Sequence, residues 1–206
     1  MYTPKFNQVV DRAVLLEAMR AYSFAILFGP QGEAETLALA ATHRPLVVND
    51  KGEHGELEGH FARANRHWQA LAGRETLVVF AGPHSYVSPT LYVEPLSVPT
   101  WNYIAVHAYG TLELIEDEAG KESLLEGLIG THEPAYLEKW RAMLDDFRRR
   151  MLAGIVGFRI PISRIDGKFK ISQNRSDAER HNIRETHAAG TPDQQALAEW
   201  MVRLIG

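Results

Sequence analysis

Cysteine is absent from all 206 residues, which excludes disulfides, thiolate metal sites and a cysteine nucleophile, and fits a reducing compartment. No apolar run approaches the roughly 20 residues of a membrane span, and the opening MYTPKFNQ lacks a basic stretch followed by a hydrophobic one. The expectation is a cytoplasmic protein with no membrane partner. Positive charge is scarce too. With 22 Lys and Arg against 26 Asp and Glu, the formal charge is −4, so no global field favours nucleic acid and DNA binding would need a local basic patch. Neither GxGxxG nor GxxxxGK[ST] stands at a strand-to-helix turn, which leaves a Rossmann or P-loop nucleotide site without support. Nine histidines are present, yet none makes an HExxH or a comparable ligand set, so no metal is expected.

What is there suits a chain with a sizeable core, read as a single domain over 1–206. Residues 11–21 place Val14, Leu15, Ala18 and Met19 on one stripe, which predicts a helix. SFAILF at 23–28 predicts a strand, Gly29-Pro30-Gln31-Gly32 a turn, and 34–42 a second strand, together a hairpin. TLVVF at 76–80 reads as a buried strand ended by a turn at Ala81-Gly82-Pro83-His84. Counting on to residue 116 there are about six strands, mostly joined by short turns, which points to an antiparallel β-barrel rather than alternating βαβ units. Helices follow at about 117–152, one over 117–129 and one over 134–152, the second ending in Arg148-Arg149-Arg150, where positive charge complements the helix dipole on a solvated face. Residues 155–165 return to strand, and Asp166-Gly167-Lys168 predicts a tight turn. The tail, 176–206, reads as helical, with Ser176 as a cap and a break at Gly190-Thr191-Pro192.

Three stretches carry polar groups that a plain core would not need. In VPTWNYIAVHAYG (98–110), Pro99, Thr100, Trp101 and Asn102 set a rigid φ, a hydroxyl, an indole donor and a carboxamide side by side. A planar heteroaromatic ligand would use that set by stacking and edge hydrogen bonds; the alternative makes Trp101 a core anchor and Asn102 a turn cap. EGHFARANRHW (58–68) reads as a strand end passing into a helix at about Gly59 or His60. His60 and Arg63 would then share one face near free N–H groups, a seat for phosphate, against the alternative of a solvated face with an ordinary arginine. Lys170, Gln173 and Arg175 gather donors near a strand end, suited to an anionic or carbonyl-rich ligand.

Five blocks, MYTPKFN at the N-terminus, LEGHFARAN at 57–65, VVFAGPHSYVSPTLY at 78–92, VPTWNYIAVHAYG, and KISQNRS at 170–176, resemble the PaiB-like family of FMN-binding negative transcriptional regulators. The resemblance implies an α+β, mainly β fold: an antiparallel FMN-binding split β-barrel with peripheral helices, related to pyridoxamine-phosphate-oxidase-like flavoproteins. It further implies FMN as cofactor and a homodimer with flavin at the subunit interface. The family's Gly-His-x-Ala-Arg-Ala-Asn falls on 59–65, which makes His60, Arg63 and Asn65 the candidates for the FMN phosphate. Thr42 and His43 would meet the ribityl chain or ring; Thr100, Trp101 and Asn102 would face the ring or the dimer partner; Lys170, Gln173 and Asn174 would close the site. Arg66 stands where the family commonly has proline, and His181-Asn182 where a glycine is usual. The implied function is transcriptional regulation of the PaiB type; the alternative is an FMN-dependent oxidoreductase passing electrons from a nicotinamide donor to a small acceptor, with no acid-base pair required of the protein. No helix-turn-helix signature or basic recognition helix is visible, so a protein partner is the expected route to DNA.

Overall fold

The computed structural model describes residues 1–31 and 38–205. Among the described residues there are nine strands and seven α-helices, with runs of consecutive strands near the start of the chain and consecutive helices toward its end. Hydrogen bonding links the strands in the order β3 (Ala38–Pro45), β2 (Phe24–Gln31), β6 (Glu75–Val87), β7 (Thr100–Thr111), β9 (Ile155–Lys170), β5 (Glu56–Ala62), β4 (Val47–Asn49), with β1 (Gln8–Val9) and β8 (Glu113–Ile115) each pairing β9. The chain divides into two compact units: unit 1 holds Met1–Leu15, Ala81–Val106 and Asp166–Gly206, unit 2 holds Leu16–Phe80 and His107–Ile165.

Unit 2 is built on the antiparallel β2–β3 pair and on β5 laid between β4 and β9. The pairing Phe24↔Pro45 through Gln31↔Ala38 corrects the expected turn: Gly29, Pro30 and Gln31 are still strand, while Gly32 and the expected strand start at Ala34 lie outside the described residues. Proline is tolerated there because β2 meets β6 only at Ile26, Leu27 and Phe28, so Pro30 lies beyond that second ladder. α1 (Arg12–Ala21) starts where Asp11 Oδ1 accepts from the N–H groups of Ala13 and Val14, at 2.8 and 3.2 Å, and it buries Leu16, Ala18 and Met19 here. Phe61, on β5, packs against Phe158 with ring centroids 5.0 Å apart.

The expected long helix over 134–152 is three pieces: a 3-10 turn at Pro134–Tyr136, then α4 (Leu137–Arg141) and α5 (Asp145–Ala153). Leu144 takes extended backbone, and Asp145 and Asp146 give α5 an acidic first turn that its dipole favours. Arg149 and Arg150 of the arginine run are exposed, as a solvated face requires, while Arg148 pairs with Glu122 and Arg149 with Glu118, tying α5 to α3 (Glu118–His132).

In unit 1, two expected turns are continuous strand. Ala81, Gly82, Pro83 and His84 lie inside β6, since Gly82 has no Cβ and lets Ile104 approach; a methyl there would meet Ile104 at 3.0 Å. Asp166, Gly167 and Lys168 lie inside β9, because β1 pairs Val9 with Gly167 and Gln8 with Lys168. α6 (Asp177–Ala188) and α7 (Pro192–Ile205) form the expected helical tail, broken between Ala188 and Pro192. Ser176 and Glu179 complete a capping box, and Trp200 meets Phe169 edge-on at 5.2 Å. No helix among the described residues is long and apolar enough to cross a membrane.

Candidate functional site

The sequence candidates fall into two groups, one in each unit. In unit 2 the strand period of two puts Thr42 and Arg44 on one face of β3 and His43 on the other, where its exposed ring lies 6.0 Å from Phe24. His60 is in β5, opposite Gly157 of β9, not on a helix; the expected helix start at Gly59 or His60 moves to α2 (His67–Leu71). The strand wins because β5 has partners on both sides, and because Gly59 allows close packing: a Cβ there would stand 2.7 Å from Leu46 and 2.8 Å from Phe158.

These elements gather a polar cluster. His67 Nδ1 is 2.8 Å from the Thr42 hydroxyl, the His67 ring meets Phe61 edge-on at 6.4 Å, and the Arg44 guanidinium lies 5.4 Å from the Phe61 ring centroid. Arg44 Nε, His60 Nδ1 and His67 Nε2 are all buried without a hydrogen-bond partner. Each such orphan costs about 1–3 kcal/mol; the backbone of Gly29 and Pro30 already bears on the His67 ring, so Arg44 Nε and His60 Nδ1 are the two best suited to a group that supplies acceptors. Burial, then the charge of Arg44, holds His60 below the ordinary histidine range; burial lowers His67, opposed by the backbone of Gly29 and Pro30. The guanidinium of Arg44 is itself lowered by burial and stays a cation. A phosphate matches this set: one cation, imidazoles able to take a proton, and a hydroxyl.

Arg63 and Asn65 serve the scaffold around this cluster. Arg63 donates from Nε to the Ala153 carbonyl at 2.8 Å and from Nη2 to that of Ile155 at 3.1 Å, placing positive charge at the C-terminus of α5. Asn65 Oδ1 accepts from the His67 N–H at 3.1 Å and so helps to set the ring that meets Thr42. Arg44 and His67 were not among the sequence candidates. The available signal for Arg44 was its place two residues beyond Thr42 on a strand; His67 needed the tertiary contact.

In unit 1, Thr100 and Asn102 share a face of β7 and, with Lys170 and Asn174, line a groove of about 350 Å³. Trp101 points the other way and is 53% exposed, 6.2 Å from His84 and 6.1 Å from Tyr86. It is therefore not the core anchor that one reading required. Asn102 is wholly buried and exchanges hydrogen bonds with Ser172, at 2.9 and 3.1 Å. That exchange holds Ser172 at φ 65°, a left-handed backbone that costs a non-glycine residue about 1–3 kcal/mol. Lys170 Nζ donates to the Thr100 hydroxyl. Gln173 folds back on its own strand end, accepting from the Ile171 N–H at 2.8 Å and donating to the Phe169 carbonyl.

Buried ionisable groups set an acid limit on stability. Desolvation works to raise Glu179, but the N–H groups of Glu94, Ser176 and Val93 and the charge of Arg175 hold it below the usual carboxylate range. His187, both of whose ring nitrogens are buried and unpartnered, is lowered by burial, as are His60 and His67. A histidine lowered in the folded state leaves the unfolded chain binding the extra proton once pH falls below about 6.5, so this stability is whole above that pH and is lost toward the folded pKa. The Glu179 share is present above the ordinary glutamate pKa and lost as pH falls through the depressed one. Melting temperature followed by circular dichroism should be flat above about pH 7 and fall below about pH 6.5, less steeply in His187→Phe. A melting temperature that rises between pH 7.5 and 5.5 would contradict these shifts.

A family described as "Putative FMN-binding domain" matches residues 1–164. The chain is 34% identical over 207 residues to the "Protease synthase and sporulation protein PAI 2" of Bacillus subtilis, covering 98% of this chain and 96% of that protein. It is 31% identical over 184 residues to an uncharacterised protein of Emericella nidulans, with 70% and 73% covered. Among solved structures, the FAD and heme binding protein from Mycobacterium smegmatis superposes with a TM-score of 0.62 at 18% identity, covering 90% of this chain and 81% of that one. A flavocytochrome from Azotobacter vinelandii gives 0.59 at 16%, covering 82% and 72%. At such identities the likeness is one of fold, and the expected α+β, mainly β class, an antiparallel split barrel with peripheral helices, holds.

Proposed function

Because this chain belongs to the PaiB-like family of FMN-binding proteins, we propose that the FMN phosphate sits against Thr42, Arg44 and His60 and that the protein is a flavin-responsive transcriptional regulator. The observation that carries the site is the pair of buried, unpartnered nitrogens on Arg44 and His60, beside the Thr42 hydroxyl that His67 holds. A dianionic phosphate would accept from the guanidinium and the His60 imidazole at once and relieve their desolvation. FMN supplies, when bound, the redox chemistry and the visible absorption of its ring, and the protein supplies orientation and hydrogen bonds. A ligand that binds one assembly state better than another shifts the population between them, and such a shift is what a regulator reads.

The relative's name, which speaks of protease synthase and sporulation, supports a regulatory role. A net charge of −4 and the lack of a recognition-helix signature favour action through a protein partner over direct DNA contact. A homodimer is part of the proposal. Tyr86, Leu96 and Trp101, all exposed in unit 1, are the kind of apolar surface that a second copy would cover. The freshly purified protein should absorb near about 450 nm, scatter light as a dimer, and shift no promoter fragment in a gel unless a partner is added. A colourless protein that ignores added FMN would remove the site; tight, sequence-preferring DNA binding by the protein alone would remove the partner.

A further inference from the structure

We propose that the groove of unit 1 is a second ligand site, separate from the phosphate seat of unit 2, and that it takes a nucleoside phosphate. Its walls join two chemistries. Lys168 and Lys170 stand two apart on one face of β9, and Arg175 follows across the 171–174 turn; no carboxylate is among the lining residues. Tyr2, Phe6 and Tyr103 add aromatic surface, with Tyr2 85% and Phe6 55% exposed at the rim.

The two lysines have neutral partners, and Arg175 shares its one carboxylate neighbour with a backbone N–H. Lys168 Nζ donates to the Tyr2 carbonyl at 3.0 Å and lies 5.6 and 5.3 Å from the Tyr2 and Tyr103 ring centroids. Lys170 holds a hydroxyl, that of Thr100. Arg175 stacks on Tyr92 at 3.7 Å, with a Glu179 oxygen 4.0 Å away that is already bonded to the Ser176 N–H. Three cations around about 350 Å³ in a chain of net charge −4 are a local exception to its electrostatics, and they call for an anion. Side chains two apart on a strand are roughly 7 Å apart at their roots, and lysine is long enough for both ammonium groups to reach one diphosphate. A bare phosphate would leave the rim rings idle, whereas a base stacked on Tyr2 or Phe6 would use them. The volume is within the usual range for small-ligand sites. Ser172, held in its left-handed backbone at the floor by buried Asn102, is strained where a shaped site would need it.

The test titrates FMN-loaded protein with ADP by calorimetry, using pyrophosphate and adenosine as probes of the two halves. ADP should bind once per chain, more weakly as salt rises, with flavin absorbance unchanged. Lys168→Glu should weaken ADP by about tenfold or more. Tyr2→Ala, which removes a ring that is 85% exposed, should weaken ADP several-fold and change pyrophosphate far less. No heat with ADP at millimolar concentration, ADP that expels FMN, or unchanged affinity in both folded variants would each overturn the proposal. Pyrophosphate binding as tightly as ADP would overturn its nucleoside part. Failure of FMN itself to bind would show in the absorbance before any ADP is added, so the two readings fail separately.

Discussion

Arg44→Gln is expected to lower FMN affinity by about 10- to 100-fold while leaving the apo-protein as stable as before. A charge-assisted hydrogen bond is worth about 1.5–3 kcal/mol, and each 1.4 kcal/mol is about tenfold in affinity. The unusual half of the expectation is the stability. Arg44 is buried enough for desolvation to depress its guanidinium, its Nε has no partner, and its visible contact is with the face of Phe61. Glutamine keeps part of the apolar stem and removes a partly desolvated charge, so the fold loses little. Titration of apo-protein with FMN, read by quenching of flavin fluorescence, measures the first half; the apo melting temperature measures the second. Unchanged FMN affinity with a melting point several degrees lower would make Arg44 a packing residue and end the phosphate assignment.

Gly110→Val should be the most damaging small substitution in the sheet. Gly110 lies in β7, and a Cβ there would run into the Pro161 carbonyl oxygen and stand 2.6 Å from a methyl of Ile160. A side chain can swing aside, but the paired backbone of β9 cannot do so without breaking its ladder with β5. Over-packing of this kind costs about 1–3 kcal/mol and sometimes more, and at this chain length each kcal/mol moves the melting point by roughly 2–4 °C. Gly127→Ala is the matched control. Gly127 lies in α3 with nothing near an added methyl, so alanine should stabilise by about 0.5–1 kcal/mol. Equal melting points for the two variants would mean that β7 and β9 do not approach as closely as described.

The elements read well from sequence are those whose causes are local. α1 has its apolar stripe and its Asp11 cap, and α6 has Ser176 with Glu179 three residues later; both form where periodicity and capping place them. The PaiB-like blocks carried family, fold class and FMN, because long ordered matches need no knowledge of contacts. Punctuation by glycine and proline misled. Gly82-Pro83 and Asp166-Gly167 are turn signals in isolation, yet Ile104 covers one and β1 pairs the other, so both remain strand. His60 went astray for the same reason: a helix start is local, whereas β5 exists because β4 and β9 bind its two edges.

By itself, then, the order of residues determined what is written in neighbours three or four apart and in extended matching blocks: the helices at both ends, the family, the cofactor. Only tertiary structure decided which polar atoms lack partners. That Arg44, His60 and His67 converge, that Arg63 is occupied by the end of α5, and that Trp101 faces away from the groove holding Asn102 are outcomes of strand pairing between distant segments. Each side chain's duty is set by what the rest of the chain brings against it, and no spacing rule encodes that.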